Sequence, residues 1–306
     1  LIDSNISKFV IDSELEIFSN TIYSSCTLSD GGFALGTISN GVYILNKDGE
    51  IQYHIKQNKG LSNNTVLSLF EDIDKNLWVG LDNGINCINL QSPVKTYTDD
   101  TGMLGTVYAS KLYKGNLYVG TNQGLFYKNY SSNNNFNFIN GTKGQVWSLF
   151  EYDNTLFCGH DSGTFIINEG VAKPIFSHSG TWKFEKVPNR DNFLLQGNYY
   201  GISILEKVNN QWVYRNKIKG FDYSSRYFQI TKALDVYVSH EYKGIFGFNL
   251  NNALTTATDF KAYTLPKKGK NASLTIFNGN IYYASNEGIF KLNSKTKQLF
   301  EYHHKG

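Results

Sequence analysis

Cysteine, proline and concentrated charge are all scarce in this chain. There are 3 cysteines (Cys26, Cys87 and Cys158), odd in number and far apart, among 306 residues. A disulfide framework is therefore not expected, and cysteine usage reports no compartment. Proline occurs only 4 times. The formal charge of +3 is spread along the chain without a basic block, which argues against nucleic-acid binding. No run of about 18 apolar residues is present, so this segment is not expected to span a membrane. Alanine-rich windows with helical periodicity are also rare; the best helix candidate, Asn252–Ala257, is short. The chain carries no signal peptide and opens on Leu1 rather than Met, which reads as a mature or excised segment of something larger.

What is abundant is aromatic and glycine residues: 21 Tyr, 21 Phe and 28 Gly, a mixture that favours strands joined by glycine turns. One pattern recurs throughout: an aromatic-aliphatic strand, a small residue, a short polar turn, glycine, and a second strand. It reads FALGTISNGVYIL from Phe33, LWVGLDNGINCINL from Leu77, LYVGTNQGLFYKN from Leu117 and LFCGHDSGTFIIN from Leu156. It continues as FLLQGNYYGISIL from Phe193, VYVSHEYKGIFGFNL from Val236 and IYYASNEGIFKLN from Ile281. The turn glycines, Gly41, Gly84, Gly124, Gly163, Gly201, Gly244 and Gly288, are 38 to 44 residues apart. A small residue precedes each turn: Gly36, Gly80, Gly120, Gly159, Gly197, Ser239 and Ala284. It implies close backbone approach or a bulge at that strand end.

Each unit also has room for a strand on either side; in the second unit these fall at Val66–Glu71 and near Val94–Tyr97. Four strands per unit of about 40 residues is one propeller blade. The expected fold is an all-β, seven-bladed β-propeller with four antiparallel strands per blade, a single domain over residues 1–306. The stretch Ser7–Phe18 fits no full unit and reads as one or two strands, either from a preceding blade or closing the ring.

The stretch from Gly60 to Leu90, GLSNNTVLSLFEDIDKNLWVGLDNGINCINL, resembles the two-component regulator propeller repeat in its LSNNTV opening, its FED and NLWVG strand pair and its DNGI turn. The other six units are weaker copies. The resemblance implies a periplasmic sensor propeller from Bacteroidetes. Such propellers are usually followed by a triple-tyrosine domain, a membrane helix, and a histidine kinase or LuxR-type output module, none of which is present in these residues. Within that family the chain looks most like the helix-turn-helix branch, a transcription regulator.

In a blade, the loop leading into the innermost strand and the hairpin between strands two and three lie on one face. Asn20, Tyr23, Asn63, Asn64, Tyr108, Gln145 and the hairpin residues Asp82, Asn83, Gln123, His160, Asp161 and Glu287 are expected there, with Lys267, Lys268 and Lys270. The fifth and sixth blades differ, because QGNYYG and VSHEYKG replace ordinary polar turns with aromatic and ionisable side chains. Trp147, Trp182, Tyr199, Tyr200, Arg226, Tyr227, His240, Glu241 and Tyr242 are the candidate ligand-binding residues. Aromatic faces beside amide, carboxylate and guanidinium groups suit a sugar ring. The competing structural role is that these residues fill or edge the channel. Trp78 and Trp212 are expected to be structural, Trp78 between blades and Trp212 on an outer strand. Glu71 and Asp72 are expected to cap a turn, and His303 and His304 to be solvated.

No catalytic or metal-binding constellation stands out, and no cofactor is implied; His160 and Asp161 are merely adjacent. The expected function is a sensor that binds an oligosaccharide, another polar ligand or a partner, and relays the event to downstream domains of the parent protein. An interaction scaffold that forms a homodimer without a small ligand is the alternative, and a polysaccharide-cleaving enzyme the third.

Overall fold

Every turn glycine adopts positive φ, from +73° at Gly41 to +147° at Gly124. That region closes a tight hairpin and strains any residue with a Cβ. The computed structural model describes residues 11, 17, 19–94, 97, 99, 102–131, 135–263, 271–293, 296 and 298–302. Built around these hairpins are seven consecutive antiparallel sheets, and the fold is a seven-bladed β-propeller. The chain divides into two compact units, residues 1–101 and 102–306.

The first unit holds two blades. One comprises β1 (Ile22–Thr27), β2 (Phe33–Thr37), β3 (Val42–Leu45) and β4 (Ile51–Ile55); the next comprises β5 (Val66–Glu71), β6 (Asn76–Leu81) and β7 (Gly84–Asn89). The second blade thus has three strands among the described residues, not four. Val94 and Tyr97 lie outside any strand, and residues 95 and 96 are not described. Val42, Val66, Leu77 and Val79, all fully buried, form the core between the two sheets. Glu71 accepts the Ser29 backbone N–H at 2.6 Å, tying one blade to the other. Asp72 caps the β5–β6 turn, accepting N–H bonds from Asp74 at 2.9 Å and Asn76 at 2.8 Å. It also accepts the Trp78 indole N–H at 2.8 Å. Trp78 keeps 42% of its surface exposed, so this bond holds it where close packing between blades was expected. Of the N-terminal stretch 7–18 only Ile11 and Ile17 are described; Ile17 is helical, not extended, and is buried beside Tyr43 and Leu45.

The second unit holds five four-stranded blades. The third blade comprises β8 (Val107–Tyr113), β9 (Asn116–Thr121), β10 (Leu125–Asn129) and β11 (Asn137–Phe138), and the fourth β12 (Val146–Tyr152), β13 (Thr155–His160), β14 (Gly163–Asn168) and β15 (Val171–Phe176). The fifth comprises β16 (Thr181–Lys186), β17 (Phe193–Asn198), β18 (Gly201–Val208) and β19 (Gln211–Lys217). The sixth comprises β20 (Tyr227–Ile230), β21 (Asp235–His240), β22 (Gly244–Leu250) and β23 (Ala257–Tyr263), and the seventh β24 (Ser273–Phe277), β25 (Asn280–Ser285), β26 (Gly288–Asn293) and β27 (Gln298–Glu301). Trp212, on an outermost strand as expected, is 4% exposed and packs edge-on against Phe157 at 5.5 Å. The segment Asn252–Ala257 is not a helix. The Asn251 side chain accepts the backbone N–H groups of Thr255 and Thr256 at 2.8 and 3.1 Å, and Ala257 opens β23. Such a side chain offers the backbone a turn in place of a helical bond.

The small residue of strand two has a direct explanation. A Cβ on Gly120 would strike the side chain of Val146, the first residue of the next blade's inner strand. On Gly197 it would strike the Ser225 carbonyl and lie 2.8 Å from the Phe228 ring. Neighbouring blades therefore approach through these positions.

Candidate functional site

Five inner strands break register at their second residue: β1 and β5 in the first unit, at Tyr23 and Leu67, and β8, β12 and β16 in the second. In the second unit, pairing with the neighbouring strand shifts between Val107 and Ala109, between Val146 and Ser148, and between Thr181 and Lys183. The skipped residues are Tyr108, Trp147 and Trp182. A bulge leaves one residue unpaired and re-aims its side chain, and three aromatic rings are turned toward one another in this way. Arg226 occupies the corresponding place before β20, because Tyr227 pairs with Ser239 as Ser148 pairs with Gly159.

Together these residues form an arc across four successive blades. Tyr108 lies 4.9 Å from Trp147, Trp147 4.6 Å from Trp182, and the Arg226 guanidinium 5.2 Å over the Trp182 ring. Arg226 also lies 5.2 Å over Tyr227 and bonds to Glu241 at 3.0 Å. Tyr199, from the β17–β18 hairpin, packs 4.7 Å from Trp182, and its oxygen accepts the Trp147 indole N–H at 2.8 Å. The Trp182 indole N–H goes to Ser224 at 3.1 Å. Burial raises the Tyr199 phenol above its ordinary pKa; the Trp147 bond opposes this and the Asp161 charge adds to it. Tyr199 is therefore protonated at neutral pH and keeps an O–H to donate.

A buried polar network fixes the strand that carries Trp182. The Thr181 hydroxyl bonds to Thr164 at 2.9 Å and takes the Asn198 side-chain N–H at 2.9 Å, while Thr164 donates to Gln196 at 2.8 Å. Backbone bonds bring the hairpin of the fifth blade against the loops leading into the fifth and sixth: Tyr199 N–H to Gly180 at 3.0 Å, and Ser225 N–H to Asn198 at 3.0 Å.

Of the nine residues nominated from sequence, six meet: Trp147, Trp182, Tyr199, Arg226, Tyr227 and Glu241. The remaining three do not join them. Tyr200 is 68% exposed beside the arc. His240 lies near Tyr223, Tyr242 and Phe246 at 6.2 to 6.3 Å. Its Nδ1 accepts the Tyr242 backbone N–H at 3.1 Å. The same bond closes other hairpins, where Thr37 accepts Asn40 N–H at 2.9 Å, Thr121 accepts Gln123 N–H at 3.0 Å, and His160 accepts Ser162 N–H at 3.0 Å. His240 is thus a turn cap; His160 takes the same place in its hairpin, and its Nδ1 also lies 2.7 Å from Asp161 Oδ1, so these two residues face one another as well as being adjacent in sequence. Burial, with Lys243 adding, lowers the His240 pKa, in keeping with an unprotonated acceptor. Tyr108, expected on this face but not among the nine candidates, joins the site, as does Ser224. Tyr108 shares the aromatic second position of the inner strand with Trp147 and Trp182, whereas Ser224 has no signal of its own.

Lys267, Lys268 and Lys270 lie outside the described residues. In the first unit a separate polar depression is lined by Asn40, Lys56, Gln57, Asn58 and Asn64. Among the described residues there is no group of three or more His, Cys, Asp or Glu that could hold a metal ion. Nor is any helix long and apolar enough to cross a membrane.

Residues 60–83 match the family described as two component regulator propeller. No curated protein matches the chain. Among solved structures, the extracellular domain of a putative one-component system from B. thetaiotaomicron is similar at TM-score 0.54 and 16% identity. That of a putative hybrid two-component system from the same organism is similar at 0.52 and 17%. Each match covers 93% of this chain but 44% of the other, so the chain spans less than half the length of these domains. Sqt1 of Saccharomyces cerevisiae is similar at TM-score 0.50 and 9% identity, over 92% of this chain and 84% of that one. At such identities these likenesses establish the propeller fold.

Proposed function

We propose that this chain, a propeller carrying a two-component regulator repeat, is the extracytoplasmic sensor of a bacterial signalling protein, and that it binds its ligand at the arc from Tyr108 to Arg226. The observation that carries this reading is the arc itself. At a bulge position that recurs in five blades, three adjacent inner strands place aromatic rings in contact with one another, and Arg226 stands at the equivalent position just before β20. Hairpin turns need no such arrangement. The arc offers π surface together with directed donors and acceptors, the combination by which a sugar ring is held through its C–H face and its hydroxyls. Binding would be relayed to further domains of the parent protein, in keeping with the sensor domains it resembles.

A thermal-shift screen of the purified chain against oligosaccharides tests the reading, because a ligand selective for the folded state raises the melting temperature. At least one oligosaccharide is expected to do so. Trp182→Ala should weaken that ligand about thirtyfold, as loss of a central aromatic contact does. A shift that survives Trp182→Ala undiminished would place the ligand elsewhere.

A further inference from the structure

Arg226 is the cation at one end of the arc, and it is not left to act as a cation. We infer that Glu241 sets the charge selectivity of the site, limiting it to uncharged polyhydroxyl ligands and turning away acidic ones; this rests on the arc being the ligand site. The Arg226 Nη1 bonds to Glu241 at 3.0 Å with both side chains well exposed, at 40% and 38%. Exposed pairs of this kind add little to stability, so the pair is poorly accounted for as a brace. Its effect on a ligand is larger, because it cancels the guanidinium charge where the ligand would meet it. Lys183, next to Trp182 in the chain, is likewise neutralised, by Glu185 at 2.6 Å. Asp161 brings a further negative charge toward Tyr199. A carboxylate or sulfate entering the arc would therefore meet Arg226 and Lys183 as members of ion pairs rather than as free cations, with the outward oxygen of Glu241 and the Asp161 carboxylate nearby.

The polar groups that remain suit a different ligand. The guanidinium has further N–H donors, Tyr199 has its O–H, and Glu241 has a second oxygen that only accepts. Adjacent hydroxyls on a sugar ring can donate to that oxygen and accept from the guanidinium at once. A ligand carboxylate can only accept, and it would lie against a like charge. Discrimination of this kind, by a built-in repulsion, is a common route to specificity.

The test is isothermal titration of the wild-type chain and Glu241→Gln with neutral malto-, cello- and xylo-oligosaccharides and with oligogalacturonate. Glutamine keeps the size and a hydrogen bond to Arg226 while removing the charge. The wild-type chain should bind a neutral oligosaccharide at least about tenfold more tightly than oligogalacturonate, and Glu241→Gln should abolish or reverse that preference. The gain for oligogalacturonate should fade as salt is raised. Equal wild-type binding of both classes, or an unchanged preference in a folded Glu241→Gln, overturns the inference while leaving the arc as the site. Binding of neither class to either protein overturns the reading of the site as well.

Discussion

Gly197 lies where the backbone of the next blade closes on strand two, with the Ser225 carbonyl and the Phe228 ring filling the space of a side chain. Gly197→Ala should therefore destabilise the chain by about 2 kcal/mol, the usual scale for overpacking a rigid core, as read by urea unfolding. Glycine at this position is a packing requirement, and its spacing from the turn glycine made it visible in the sequence. Tyr108 was harder to single out. Its role depends on a bulge that re-aims one residue; the bulge recurs at the second residue of five inner strands, but a run such as TVYASKLY does not announce it by residue type. His240 is the opposite case, a nominated residue that stands apart from the arc. An ionisable ring in an aromatic hairpin resembles a ligand contact, yet its Nδ1 is taken up by the Tyr242 N–H.

At the scale of the hairpin, that bond gives β21–β22 a pH dependence. Burial, reinforced by Lys243 and opposed by Glu241, holds the His240 pKa below its ordinary 6.5. The unfolded chain therefore takes up the proton first as pH falls. The stability contributed by the neutral cap is complete above the unfolded value and is lost as pH drops through it toward the folded one. Melting temperatures between pH 7.5 and 5 should fall more for the wild-type chain than for His240→Asn, which can cap the turn without titrating. Equal falls would show that the histidine is not the group responsible. Elements were the most legible level of the sequence: Val66–Glu71 was located to the residue, and all seven hairpins follow their glycines. For the second blade's outer strand, expected near Val94–Tyr97, Val94 and Tyr97 lie outside any strand, and residues 95 and 96 fall outside the described residues.

Across the whole chain, a period of about 41 residues announces the propeller, because each sheet repeats the same small residue, turn and glycine. Repetition says less about the site, which arises from departures: two tryptophans, a tyrosine and an arginine at one register position of four blades in the second unit. Six of the nine residues nominated from sequence meet in the arc because the unusual turns lie next to these strands; the other three stand apart from it because proximity along a hairpin does not fix the direction of a side chain.

The tryptophans allow the central claim to be measured directly. Of the four, Trp212 is buried and Trp78 belongs to the first unit, so in Trp78→Phe the emission open to a ligand comes from Trp147 and Trp182. Titrating that variant with a neutral oligosaccharide that raises the melting temperature should change its tryptophan fluorescence saturably, at the same midpoint as binding. Unaltered emission at saturating ligand would contradict the assignment of the arc as the site.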